Sequence, residues 1–138
     1  KFKIKKKIIN YINKKNAEKT ILTELKKNKI DLICLAGFMK ILSKNLIKKF
    51  YGKIINIHPS LLPKYKGLNT HQRAIDDEQK YSGCTVHYVN ARLDSGKIIL
   101  QKKVRIFKTD TSNKLAKKIL KQEHILYPRA LKKVIINL

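Results

Sequence analysis

The 138-residue chain predicts an α/β fold, a mixed and mostly parallel sheet flanked by helices. Three observations carry that expectation. The run from Asp31 to Phe38 is almost uninterruptedly apolar, as a central parallel strand buried on both faces requires. A helical pattern and a second strand follow it, the order of a βαβ unit whose crossover should be right-handed. Two later strand-like segments are joined only through Asn90 to Asp94, too short a link to cross a sheet, so they should pair antiparallel.

In chain order, residues 1–12 alternate Lys with Phe2, Ile4 and Ile8 and read as a strand with a basic solvent side. From Asn16 to Asn28 the apolar residues Ala17, Ile21, Leu22 and Leu25 recur at helical spacing, leaving a Lys-rich face solvated. The apolar run closes on Gly37. Ser43 is a good N-cap for a second helix that turns Leu46, Ile47 and Phe50 inward. The strand Lys53 to Ile57 then leads into a polar loop bracketed by Pro59 and Pro63. A short helix from Thr70 to Gln79 precedes the strand Gly83 to Val89 and its partner, Ser95 to Ile106. Asp110, Thr111 or Ser112 caps a final helix to about residue 136, with Leu115, Ile119, Ile125, Leu126, Leu131 and Ile135 as core contacts. Pro128 should kink or split that helix. With no internal repeat and no linker, residues 1–138 form one domain. The chain opens on Lys1 in mid-pattern, which reads as a fragment.

The net charge of +24 is unevenly spread: 15 basic and 3 acidic side chains in residues 1–50, 7 and 4 in 51–100, 11 and 2 in 101–138. It therefore avoids the motif-bearing middle. Nearly all of it is Lys, alongside an excess of Ile and Asn, a set that AT-rich codons favour together. Compositional drift thus explains the charge without a polyanionic partner, although a basic surface can also steer a phosphorylated substrate or RNA. Cys34 and Cys84 lie apart in apolar runs without a CxxC spacing and read as reduced core residues of a cytoplasmic protein. No apolar run approaches the roughly 18 residues of a membrane span, and no signal-peptide pattern opens the chain.

Chemistry concentrates at Ile54 to Gly67. Asn56 and His58 are two residues apart, so in a strand that persists to His58 both side chains leave one face. Asn56 can hold a carbonyl oxygen and stabilise an oxyanion; a charged His58 can do the same and supply a proton to a leaving nitrogen. A carboxylate at Asp94 favours charge on the ring and accepts protons shed by an attacking amine. Together the three suit acyl-type transfer from an amide-like donor. No Ser or Cys stands in a nucleophile elbow, so direct amine attack is expected rather than a covalent intermediate. Spacing alone does not establish this, because a histidine after a strand is more often structural and Asp94 before Ser-Gly suits a plain turn. His71, His87 and His124 show no ligand-spaced pair with His58, so no metal is expected.

Six colinear blocks narrow the choice: AGFMKILS at 36–43, INIHPSLLPKYKG at 55–67, THQRAI at 70–75, GCTVHYV at 83–89, LDSGKIILQ at 93–101 and QEHILYP at 122–128. In this order the chain resembles the phosphoribosylglycinamide formyltransferases, folate-dependent enzymes of purine biosynthesis. The resemblance implies the C-terminal portion of a Rossmann-like formyltransferase fold, with the first strands absent. It implies formyl transfer from 10-formyltetrahydrofolate to the amine of glycinamide ribonucleotide, without a metal. Asn56, His58 and Asp94 coincide with the family's catalytic trio. Met39, Lys40, Ile41 and Leu42 match the segment lining the folate pocket, where Ile41 and Leu42 pack on the pterin. Asn90, Ala91, Arg92, Leu93 and Asp94 match the loop that closes over the pterin through main-chain contacts, and Asn56 also faces the folate. Leu120, Lys121, Gln122 and Glu123 match the ribonucleotide segment, Glu123 being the partner of ribose hydroxyls. Lys14 falls where the family often has an Arg near the folate. Nucleic acid and membrane are not expected partners, and the oligomeric state is left open.

The departures matter too. Members of this family begin with a strand and a Gly-Ser-Asn phosphate loop ahead of the position where this chain starts, and nothing in it replaces them. The ribonucleotide's phosphate site is therefore expected to be missing. Asn69 stands where His or Asp is common, and Lys40 where Arg is frequent. A methionyl-tRNA formyltransferase would account for the basic charge, but its loop continues into Arg-Gly and it adds a C-terminal domain. A formyltetrahydrofolate deformylase uses water as acceptor, carries a regulatory domain in front and has a different loop. The non-enzymatic reading is an inactive fragment that binds folate or RNA through its Lys-rich flanks.

Overall fold

The computed structural model describes residues 4–136. Its elements, in order, are α1 (Lys14–Lys27), β1 (Ile33–Leu35), α2 (Lys44–Lys49), β2 (Ile54–His58), α3 (Thr70–Asp76), β3 (Tyr81–Tyr88), β4 (Ile98–Arg105) and α4 (Ser112–Ile135). The strands form one sheet in the order β1-β2-β3-β4. β1 and β2 are parallel, joined through α2, while β2–β3 and β3–β4 are antiparallel. The sheet is mixed, as expected, but its parallel share is one pair among the described strands. The physical reason is the loop with α3, which returns the chain along β2 in the opposite sense instead of crossing over.

Pleating divides the sheet into two chemically distinct faces. Ile55, Ile57, Cys84 and Val86 leave one face and bury against Leu115, Ile119, Leu126, Ala130 and Val134 of α4. Each fully buried aliphatic side chain of this kind contributes about 1.5–3 kcal/mol, and this contact anchors the fold. On the opposite face, α1 and α2 cover the β1–β2 end, where Ile21 and Leu22 of α1 and Leu46 and Ile47 of α2 pack with Leu42 and Ile54. The rest of that face carries Asn56, His58, Thr85 and His87, paired as Asn56↔His87 and His58↔Thr85.

Local chemistry explains the helix ends. Ser43 caps α2, its hydroxyl accepting from the Leu46 N–H at 3.2 Å, and Thr111 caps α4 through the Lys114 N–H. Of the α4 residues expected in the core, Leu115, Ile119 and Leu126 are buried and Leu131 packs against the cluster, whereas Ile125 and Ile135 are about half exposed. The helix runs continuously through Pro128 rather than splitting. Among the described residues no helix is long and apolar enough to cross a membrane.

Two expectations need correction. Of the strand expected over residues 1–12, 1–3 lie outside the described residues, and 4–12 have no regular structure, with Ile4, Ile8 and Ile12 exposed. Among the described residues the alternating segment 4–12 meets no neighbouring strand, and a lone strand leaves its backbone groups unsatisfied. The segment is instead tied to α1 by Lys7–Glu24 and by Tyr11 donating to Glu18. Cys84 is fully buried, and burial pushes its thiol up to about 12. Cys34, read as a core residue, is exposed, because β1 is the outermost described strand and has a neighbour on one side only.

Candidate active site

β2 continues to His58, so Asn56 and His58 do project together from its carboxyl end. The ladder ends at Pro59, which has no N–H to donate. Asn56 is half-buried and His58 is 6% exposed. The Nε2 of His58 meets the carbonyl oxygen of Tyr65 at 2.9 Å, which assigns a hydrogen to that nitrogen. Its Nδ1 faces the Asp94 carboxylate, 3.5 Å from Oδ2.

Asp94 reaches this position because its loop doubles back. The β3–β4 connection leaves beside the start of β2, where the Val89 N–H donates to the Ile54 carbonyl, and Asp94 then folds over the sheet. The return requires close backbone approach: a Cβ on Gly96 would lie 1.6 Å from the Tyr88 carbonyl oxygen. Asp94 and Tyr65 both adopt the left-handed region, at φ +43° and +54°. Such conformations cost a non-glycine residue about 1–3 kcal/mol and gather at functional sites. The Gly67 N–H donates to Asp94 Oδ2 at 2.9 Å and fixes the carboxylate.

His87 completes the cluster and was not among the site residues expected from sequence. It is 2% exposed. Its Nδ1–H donates to the Tyr88 carbonyl at 2.8 Å, leaving Nε2 as an acceptor that faces the Asn56 Nδ2 at 3.3 Å. The pair orients the carboxamide and leaves its second N–H and its oxygen for other partners. Burial lowers the His87 pKa, and the Tyr88 hydrogen bond and Asp94, whose Oδ1 lies 3.7 Å from Nε2, only partly offset this. Only the register that sets His87 opposite Asn56 reveals this residue; a histidine inside GCTVHYV carries no such signal by itself.

The other expected residues are dispersed around this centre. Met39 to Leu42 follow β1 after three intervening residues, and Leu35 pairs with Asn56, so the segment emerges beside the site. Met39 is 77% and Ile41 62% exposed, Lys40 is exposed, and Leu42 is buried in the core under α2 instead of facing outward. In the Asp94 loop, Asn90 accepts from the Arg92 N–H, Ala91 and Arg92 are exposed, and Leu93 is 52% exposed. Lys14 opens α1, where its charge acts on Glu18. Leu120, Lys121, Gln122 and Glu123 lie on α4, which packs on the sheet face opposite Asn56 and His58. Burial raises the Glu123 carboxyl, which acts electrostatically on Cys84 of that face. Asn69, one of the departures, sits in the left-handed region at φ +56° ahead of α3, a conformation Asn tolerates well. Among the described residues no group of three or more His, Cys, Asp and Glu side chains is arranged to hold a metal ion.

An amide donor, an imidazole and a carboxylate thus converge at a strand end, a set able to stabilise an oxyanion and move a proton between two nitrogens. The chain matches the family described as Formyl transferase over residues 2–131. It is similar to the phosphoribosylglycinamide formyltransferase of Haemophilus influenzae, 46% identical over 123 residues, which are 89% of this chain and 58% of that protein. Among solved structures, phosphoribosylglycinamide formyltransferase from Brucella melitensis is 49% identical at a TM-score of 0.82, over 88% of this chain and 62% of that one. A formyltetrahydrofolate deformylase from Pseudomonas syringae is 29% identical at a TM-score of 0.84, over 89% of this chain and 41% of that one. The chain therefore spans less than two thirds of the length of each. The family match takes in both site loops, the polar sheet face and nearly all of α4, and the chain belongs to the formyl transferase family.

Proposed function

We propose that this chain transfers the formyl group of 10-formyltetrahydrofolate to the amine of glycinamide ribonucleotide, in purine biosynthesis. The observation that carries this reading is the convergence of Asn56, His58 and Asp94, with His58 Nδ1 3.5 Å from Asp94 Oδ2. In this reaction the amine nitrogen attacks the formyl carbon, and the free N–H of Asn56 and a charged His58 stabilise the oxygen as it becomes an oxyanion. His58 supplies the proton that the departing donor nitrogen needs, and Asp94 receives the one the amine sheds. The exchange is proton-neutral and needs no side-chain nucleophile.

The donor assignment is supported by apolar side chains left bare beside the site. Met39, Ile41 and Leu93 are each more than half exposed, which suits a flat aromatic ligand. Glu123 is the proposed partner of ribose hydroxyls. Small molecules, not nucleic acid or membrane, are the proposed partners. A reducing cytoplasm suits the two free cysteines.

The fold alone does not separate transferase from hydrolase, since the deformylase superposes as well as the transferases do. The higher identity to the transferase, 49% against 29%, favours the transferase. The deciding experiment gives the purified chain 10-formyltetrahydrofolate with and without glycinamide ribonucleotide. Ribonucleotide-dependent formation of formylated product is the expected result. Formate release without the ribonucleotide would assign a hydrolase, and no turnover together with RNA binding that weakens as salt rises would assign a non-catalytic binder.

A further inference from the structure

The loop after β2 supplies two groups that hold the site: the Tyr65 carbonyl on His58 and the Gly67 N–H on Asp94. Residues 59–67 belong to no strand or helix, so something else must fix them. The fixing groups lie one and two strands away. His58, Thr85 and Gln101 are register partners across β2, β3 and β4, so their side chains rise from the same sheet face, beneath the loop. Gly83, two residues before Thr85, leaves room for the loop's Leu61, whose Cδ2 would lie 2.8 Å from an added Cβ.

Thr85 is fully buried, and its hydroxyl uses its whole bonding capacity of one donor and two acceptor sites. It donates to the Ser60 carbonyl at 2.6 Å, accepts from the Leu62 N–H at 3.1 Å and accepts from Gln101 Nε2 at 2.8 Å. The same Gln101 amide donates to the Leu62 carbonyl at 2.8 Å. Both backbone groups of Leu62 are therefore held by side chains of other strands. Stiffness carries the constraint onward: Pro63 fixes φ at the next residue, and the Ser60 hydroxyl donates to the Lys64 carbonyl at 2.6 Å. The next residue, Tyr65, presents its carbonyl to His58.

We propose that Thr85 and Gln101 are positioning residues for the formyl transfer, a clamp that fixes the loop backbone at Ser60 and Leu62 and so holds His58 and Asp94 in register. The inference rests on the catalytic reading above. Neither side chain bonds to Asn56, His58 or Asp94; each acts through the loop. Gln101 is itself an exposed residue of β4, so replacing it disturbs little packing.

The test compares Thr85→Val, which keeps the shape and loses the hydroxyl, with Thr85→Ser, which keeps the hydroxyl, and with Gln101→Met. Two readouts are taken: steady-state formyl transfer, and the imidazole ¹⁵N resonances of His58 in histidine-labelled protein, assigned with a His58→Gln control. Misplacing a reacting group by about 1 Å can cost about 10²-fold in rate. Thr85→Val and Gln101→Met should therefore lower kcat by about 10- to 100-fold with each KM within about threefold of wild type. Their His58 Nε2 resonance should leave its hydrogen-bonded position, and Thr85→Ser should restore both. The clamp is overturned if Thr85→Val keeps wild-type kcat, if Thr85→Ser is as impaired as Thr85→Val, or if the His58 resonances stay unchanged in both the Thr85→Val and Gln101→Met proteins. Absence of turnover by the wild-type chain would instead count against the catalytic reading, and the ring resonances would then decide the clamp on their own.

Discussion

Asp94 joins constraints that a turn aspartate does not: a left-handed backbone, a bond from the Gly67 N–H, and a carboxylate whose two oxygens each face a histidine. Asp94→Asn keeps the size and an acceptor for Gly67 while removing the charge. It should lower kcat by about 10²- to 10³-fold, comparable to the loss of one preorganised electrostatic group, with a melting temperature close to wild type; kinetics and a thermal melt on the same preparation check both. If kcat is unchanged, the proton-acceptor role fails. At this scale the sequence was informative where local geometry suffices. The two-residue spacing of Asn56 and His58 already put them on one face, because a strand has a fixed period of two. His87 was not legible, since its relation to Asn56 exists only through cross-strand register.

Among the elements, α1 and α2 are joined by a buried carboxylate. Glu18 is 6% exposed and accepts from the Ser43 N–H at 2.8 Å and the Tyr11 hydroxyl at 3.0 Å. Burial alone would raise its pKa, but the bonds from Ser43 and Tyr11 and the charge of Lys14 together hold it below the ordinary value. Its contribution to stability is thus present above about pH 4.5 and is lost as pH falls through the folded value. Glu18→Ala leaves the Ser43 N–H without its acceptor and should cost about 1–3 kcal/mol in urea unfolding; a change below about 0.3 kcal/mol would show that water replaces the carboxylate. The β3–β4 loop makes a second case. Gly96→Ala forces the backbone away from Tyr88, so it should displace Asp94 and cut kcat by more than about tenfold, with amide exchange faster at Gly67, whose N–H loses its partner. The Ser43 cap was readable because capping is local chemistry. The expected first strand failed because a period-two pattern does not supply a partner strand.

Over the whole molecule, a half-buried histidine, His71, and a buried one, His87, link stability to pH. Burial lowers the pKa of both His71 and His87, and the nearby His58 adds to the effect on each. In the unfolded chain each takes up a proton near the ordinary value of 6.5, whereas in the fold it stays neutral to lower pH. Below 6.5 the unfolded state binds more protons, so the stability these groups contribute is intact above that value and is lost as pH falls. Thermal melts should therefore fall between about pH 7.5 and pH 5, and less steeply in His71→Gln; identical slopes would remove His71 from the account. The Lys-rich surface was legible as largely solvated, and the middle third, where the charge is lowest, is where the polar cluster assembles.

By itself the sequence determined most of the element order, the caps of the second and last helices, the antiparallel final hairpin and the shared face of Asn56 and His58. Each depends on spacing or on chemistry within a few residues. Tertiary structure decided that the sheet has one parallel pair among the described strands, that residues 4–12 pair with no strand, and that Leu42 belongs to the core. It also placed His87 beside Asn56, and Thr85 and Gln101 beneath the loop after β2. Those facts depend on which strands become neighbours and in what register, a competition among long-range contacts that no local pattern of residues can express.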